Sequence, residues 1–564
     1  MRAGIAYGGY PGGMPTPEQI WDEADLPTRR LAGLALNPSA SEDVLLRLLA
    51  EAPLAVRMVL CRDRDLPGAV MDAVIAHPDR HARGFFAVNP HVDPAQRARL
   101  VDDPDWFVRG HLADGPRIRH PHRPRPLPDE VVVRMIRTYE GEHLGSLGVY
   151  QQMSAELIRS MPTHPLPEVR CWGVGGWHRL PAGIRAALLA DPDDTVRERA
   201  QAMARLEDPV WVESVLPAHP CHGRTDVLLQ RALSRAVVDG VLTAPAQADE
   251  RATIAGNPSL PPDVVVLLAA DPDPTVRERI ARRPDLQPAE RHPLVTDPDP
   301  DVRRAVAYRE DLGPDERRAL AADSDPKVRL AVSVHPALTE EERSRIDYEV
   351  PMDCRFGFRF VSVLPQPRDP EAVRRNALSG HPMLRRKAAE DHELPADLVA
   401  RLAEDNDLGV RVLLAQNHPD APAALLLRSF LEYTGPEREN LLTRPNFPRA
   451  GLATLADHED PQVRALAARD PDTAPATVDR LTRDPDPDVR AALARHPNLP
   501  RPRLAQLLDD EELAHAAAAN PALAPATIDR LLTTAGRSPG EDPGPVPSPP
   551  APPEPSAPEA SPPR

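Results

Sequence analysis

Lysine is almost missing from this chain. Of 68 basic residues only Lys327 and Lys387 are lysines, and the rest are arginine. Aromatic residues make up 4%, so a core has to be built from Leu, Val, Ile and Ala. Four cysteines in 564 residues (Cys61, Cys171, Cys221 and Cys354) are too few for a disulfide scaffold, and no Cys-x-x-Cys pair occurs among them. No apolar run approaches the ~20 residues that a membrane span needs. The stretch from Met1 to Pro17 has no apolar segment of signal-peptide type. A cytoplasmic protein without membrane association is expected. The net charge of −17 repels nucleic acid and anionic lipid alike, which argues against either as a partner. Catalytic signatures are missing as well. No H-E-x-x-H, G-x-S-x-G, Walker or G-x-G-x-x-G pattern stands in a meaningful context, and no carboxylate pair stands out as acid and base. The expectation is a non-enzyme with no cofactor and no metal.

What the chain has in excess is proline, 71 of 564 residues. Scattered, that much proline would signal disorder. It is not scattered. Asp271-Pro-Asp-Pro-Thr-Val276-Arg277 recurs as Asp297-Pro-Asp-Pro-Asp-Val302-Arg303 and as Asp323-Ser-Asp-Pro-Lys-Val328-Arg329, each 26 residues on. Equivalent anchors fall at Val56, Ala82, Val108, Val169, Val196, Glu250, Leu384, Val410, Glu437, Val463, Val489 and Leu513, mostly 26 or 27 residues apart or twice that. Prolines recur eight and eleven or twelve residues after the anchor, as at Pro284 and Pro288. They punctuate short elements.

Within a unit, Asp299 suits an N-cap and Pro300 the first helical position, where the missing N–H costs nothing. A short helix over about 299–307 then sets Val302 and Val306 on one face. The second proline opens another helix, with stripes such as Leu504, Leu507 and Leu508. Two such helices cannot bury their faces alone, but stacked units build a continuous core. The predicted fold is an all-α α-solenoid superhelix of about 19 two-helix repeats of about 26 residues, over 21–536. A flexible Gly/Pro-containing segment, 1–20, precedes it. A Pro-rich tail at 537–564, predicted to be disordered, follows.

The unit Asp-Pro-Asp-Pro-x-Val-Arg-x-x-Val/Leu-Ala-x-x-Pro-x-Leu-Pro, as at 484–500, resembles the leucine-rich repeat variant family. That resemblance implies an α-helix and a 3-10 helix per repeat, wound into a right-handed superhelix. HEAT-type repeats also use Asp-x-x-Val-Arg, but they usually run longer and lack the second proline. The N-terminal cysteine cluster that holds an iron–sulfur centre in the family's founding member has no counterpart among the four cysteines here.

Two features compete for function. The arginine after the anchor forms a ladder that could grip phosphates or acidic peptides. The structural alternative pairs it with the aspartate four residues before: Asp273 with Arg277, Asp299 with Arg303, Asp325 with Arg329, Asp486 with Arg490. His-Pro steps, as at 335–336 and 496–497, stand where other repeats have Asn-Pro and are read as turns. The second feature is irregularity, at 110–222 and at 347–370, where Phe356, Phe358 and Phe360 alternate. The first segment and its flank hold four of the five tryptophans and a basic loop extension. Trp106, Arg117, Arg119, Arg123, Arg125, Trp172, Trp177 and His178 are therefore the candidate partner-binding residues. The expected function is a repeat scaffold that binds a protein partner along its surface. The alternative is a HEAT-like nucleic-acid-binding or base-repair protein using the arginine ladder.

Overall fold

The computed structural model describes residues 24–116, 125–139, 147–219, 221–243, 248–351 and 369–535. The N-terminal segment, the Pro-rich tail, Cys354 and the three alternating phenylalanines lie outside the described residues. Every regular element among the described residues is a helix, and the helices form a regular series of short repeats, an all-α solenoid.

The best-formed repeats show why the sequence folds this way. Helices Pro274–Ala281, Pro300–Ala307 and Pro326–Ser333 each begin with proline at the first position. Each is capped by an aspartate, Asp273, Asp299 or Asp325, whose carboxylate accepts from the backbone N–H two residues on at 2.7–2.8 Å. An orphan donor of the first turn is thereby satisfied. The anchors Val276, Val302 and Val328 are fully buried, as are Ile280, Val306 and Val332 one turn later. Leu294 and Leu320 on the second helices, Pro288–Val295 and Pro314–Ala321, close the same core. First helices of successive repeats pack on one another, so each apolar stripe is covered by its neighbours. Where the family resemblance implied one 3-10 helix per repeat, these repeats have two α-helices. The 3-10 segments occur in less regular units, such as Val174–Arg179 and Ala465–Arg469.

The chain divides into two compact units, one of residues 1–116 with 456–564, the other of 117–455. In the first unit the helix Leu26–Leu36 packs against Leu54–Asp63, and also against Ala514–Ala518 and Pro525–Ala535. The second unit contains the long core from Val212 to Val332 and a smaller one around Val174, Trp177, Leu188, Val196 and Ala200.

Candidate functional site

The arginine ladder has a partner that the sequence reading did not choose. Arg277 donates from Nε to Asp297 Oδ2 at 2.7 Å and from Nη2 to Asp297 Oδ1 at 2.9 Å. Its Nη1 donates to the carbonyls of Asp271 and Pro272 at 2.8 and 3.2 Å. Arg303 repeats the pattern on Asp323 and on the carbonyls of Asp297 and Pro298. Arg83 with Asp103, Arg251 with Asp271, Arg385 with Asp405 and Arg464 with Asp484 form the same bidentate pair. The acceptor lies in the following repeat, 20 residues on, and not four residues back. The expected pairs Asp273–Arg277, Asp299–Arg303, Asp325–Arg329 and Asp486–Arg490 are therefore corrected. Those aspartates are helix caps whose carboxylates point at the first-turn N–H groups. Arg329 and Arg490 reach onward too, to Asp347 and Glu512.

Electrostatically these rungs are self-contained. Donating to the Asp297 and Asp323 carboxylates holds Arg277 and Arg303 above the usual guanidinium range. Burial pushes the Asp323 carboxyl up, but its hydrogen bonds to Arg303 and the Asp325 N–H prevail and the net shift is downward. Four of the five donors of each of these guanidiniums are engaged inside the stack. Little of either is left to hold a phosphate.

A second ladder runs through the Asn-Pro and His-Pro steps. Asn257 Nδ2 donates to the carbonyls of Leu228 and Arg231, at 2.8 Å each, and Asn520 Nδ2 to those of Ala494 and His496, at 2.9 and 2.8 Å. Arg283 and Arg309 span their preceding repeats in the same way. His418 and His496 reach the carbonyls of Leu394 and Asp470 at 3.1 and 2.8 Å. Besides shaping a turn, the Asn and Arg side chains close carbonyl ends in the repeat before, whereas His418 reaches the loop carbonyl of Leu394. The sequence signal was present, since Asn, His and Arg share a side-chain donor.

The candidate partner-binding residues do not assemble into one site. Trp177 is 1% exposed, donates from Nε1 to Glu207 at 3.0 Å and fills the smaller core of the second unit. Its assignment to a binding surface is corrected: with so few aromatics, this one was needed as core. Trp172 is half-buried against the Tyr150 ring, at 5.1 Å between centroids. His178 is exposed, with Arg231 at 3.0 Å. Trp106 is exposed at the start of Trp106–Asp114, in the first unit. Arg125 is exposed, whereas Arg117, Arg119 and Arg123 lie outside the described residues. One ladder residue was missed. Arg224, 27 residues before Arg251, makes a bidentate pair with Glu250 at 2.7 and 2.9 Å. It stands in the double-length step between the anchors Val196 and Glu250, where an arginine in phase was the surviving signal of a repeat.

The buried pair Ser333–His381, Oγ to Nε2 at 2.8 Å, has the look of a nucleophile and its base. The hydrogen bonds exclude that role. His381 Nδ1 accepts from the Met383 N–H at 3.1 Å, so in the neutral ring Nε2 carries the proton and donates to Ser333. The serine hydroxyl in turn donates to the Leu330 carbonyl at 2.7 Å. Burial pushes His381 down to about 3, which keeps the ring neutral. A cavity of about 620 Å³ lies nearby, lined by Tyr308, His335, Glu340, Arg343, Arg375 and Lys387 among others. Its Lys387 ammonium is already paired with Glu390 at 2.9 Å. Among the described residues, no three His, Cys, Asp or Glu side chains are grouped to hold a metal ion. Nor is any described helix long and apolar enough to cross a membrane. Cys61 is fully buried, which pushes its thiol far up and leaves it inert.

Comparisons with known proteins bear on the repeat. The family model for the leucine rich repeat variant matches residues 487–512. No curated protein matches the chain. Among solved structures, an engineered protein from the Northeast Structural Genomics Consortium is 14% identical over 85% of this chain and 97% of its own. Its TM-score of 0.11 carries no argument about this fold. The matched stretch begins at the Pro487 that opens Pro487–Ala494; the Asp486 cap just before it, the Val489 anchor and the Arg490 rung recur in the neighbouring repeats. The match covers one repeat, 487–512, and is consistent with the leucine rich repeat variant resemblance of the repeats.

Proposed function

We propose that this chain is a non-enzymatic repeat scaffold that binds a protein partner on the surface of its second unit. The observation that carries the reading is how the polar and apolar side chains divide. The most regular polar groups, the ladder arginines, are consumed by Asp and carbonyl partners inside the stack. Apolar side chains meanwhile stand in solvent. Val210 is 74% exposed, Leu267 57% and Val266 54%, while Tyr150 and Ile158 are also exposed. Large exposed apolar side chains on a soluble scaffold favour protein contact over nucleic acid. The net charge of −17 points the same way. Within this reading Trp172, beside Tyr150, and His178 remain proposed contacts, and the partner is a protein segment with an apolar anchor.

The test is affinity capture of a partner with the full chain, followed by binding to Trp172→Ala and to Val266→Ser with Leu267→Ser. Binding should weaken on the order of tenfold or more for at least one variant, with the melting temperature nearly unchanged. If both bind normally, and a labelled duplex or single strand is retained instead and is lost in Arg303→Glu, the ladder reading is the correct one.

A further inference from the structure

Covalent neighbours in this stack recognise each other by a fixed set of bonds. Asn520 donates to the carbonyls of Ala494 and His496, which are the residue at its own position in the preceding repeat and the one two before it. Arg64 makes the same two bonds, to the carbonyls of Ala35 and Asn37. Asn37 lies 483 residues before Asn520 in sequence. Its Nδ2 nevertheless donates to the carbonyls of Ala518 and Asn520, at 2.9 and 2.8 Å, and it is fully buried. The rungs therefore run from Asn520 to Asn37 to Arg64 as if residues 37 and 520 were consecutive repeats.

The rest of that contact is equally specific. Arg30 donates to the Leu508 carbonyl at 2.6 Å and pairs with Asp509. Arg29 reaches the Glu511 carbonyl at 2.8 Å, and Ser39 the Pro521 carbonyl at 2.9 Å. A side chain at Gly33 would put its Cβ 2.0 Å from the His515 carbonyl oxygen, so only glycine allows the helices to approach so closely. Leu34, Ala35, Ala514, Ala517 and Ala518 are fully buried around it. A solenoid normally ends in repeats with a polar outer face. Here the repeats around Asn37 and Asn520 cover each other's apolar faces.

We propose that the first and last repeats form a self-recognition joint, and that a second copy of this chain occupies it when the chain's own end does not. The two complementary faces are carried by every copy. The intramolecular contact wins in the intact chain because its effective concentration is high. A defect on one face frees the intact face opposite for another molecule.

Two variants test this in the full-length chain. Asn37→Asp sets a carboxylate against two carbonyls and disables the N-terminal face. Ala518→Glu disables the C-terminal face. By hydrogen exchange, each should lose protection on the order of tenfold or more in both 26–36 and 514–535, while 262–333 stays protected. Arg30→Ala, a change at the rim, should raise exchange in 514–535 in the same direction, which guards against a variant that merely unfolds. Mixed at equal concentration, Asn37→Asp and Ala518→Glu should form a one-to-one heterodimer in sedimentation, joined by the one pair of intact faces. Exchange confined to the mutated end, or a mixture in which no heterodimer forms, overturns the proposal.

Discussion

Removing Asp323 should cost far more than removing Asp299, although Asp299 is the closer to Arg303 in sequence. The Asp323 side chain is 8% exposed and that of Arg303 13%, with two charge-assisted hydrogen bonds of 2.7 and 2.8 Å between them. Asp323 also accepts from the Asp325 N–H at 2.8 Å. In Asp323→Ala the guanidinium keeps its bonds to the Asp297 and Pro298 carbonyls but loses its counter-charge in a mostly buried site. Breaking a buried pair by deleting one partner costs about 3–5 kcal/mol. The residual exposure here brings the expectation to or below the bottom of that range, at about 2–3 kcal/mol. Asp299→Ala removes only a cap and should cost about 1 kcal/mol. The assay is a double-mutant cycle by denaturant unfolding, with Arg303→Met as the shared second change. Asp323→Ala and Arg303→Met should couple by about 1–3 kcal/mol, since the double variant leaves no orphaned charge. Asp299→Ala and Arg303→Met should be additive within about 0.5 kcal/mol. Strong coupling of Arg303 to Asp299, or none to Asp323, would refute the pairing between repeats.

Trp177→Ala should destabilise the second unit by about 3–5 kcal/mol, as expected for a buried aromatic, whereas half-buried Trp172→Ala should cost less; thermal melts of the two compare them directly. The pKa values of Asp191, Asp323 and Asp484 are depressed, so their contribution to stability is full above the usual carboxylate pKa of about 3.9 and is lost as pH falls through the folded values; acid unfolding monitored by circular dichroism should shift to higher pH when any one is made Asn. His335 and His515, both pushed down to about 4 by burial, and His381, pushed down to about 3, stay neutral in the fold, so stability should fall as pH drops from about 6.5 toward 4, and His381→Asn should flatten that slope in urea titrations. Gly409→Ala would bring a Cβ to 2.4 Å from Arg386 Nε and should cost about 1–3 kcal/mol, measurable as a lower urea midpoint at unchanged slope.

Much of this was legible in the chain itself. The phase of proline and the Val-Arg anchor marked repeat length, helix starts and the buried face, because caps, prolines and apolar spacing act within a few residues. Asp299 as a cap, Pro300 at the first helical position and Val302 with Val306 facing the core all follow from local rules. The Arg224 repeat was hidden because Gly223 replaced the apolar anchor, and only the next repeat's Glu250 reveals the rung.

Local sequence determined that the chain is a stack of short helices, and which residues start them and face the core. Tertiary structure alone decided who pairs with whom. Two aspartates flank each rung, and their spacing to arginine in sequence favours the wrong one. The nearer is used up by its own helix's N–H groups, and stacking delivers the other from the next repeat. Trp177 was assigned to the core by the space left between Val174, Leu188 and Val196, a volume no spacing rule contains. The bond from Asn37 to Ala518 and Asn520 lies furthest of all from any local signal. Such contacts depend on backbone carbonyls and packed surfaces, which exist only once the chain has folded.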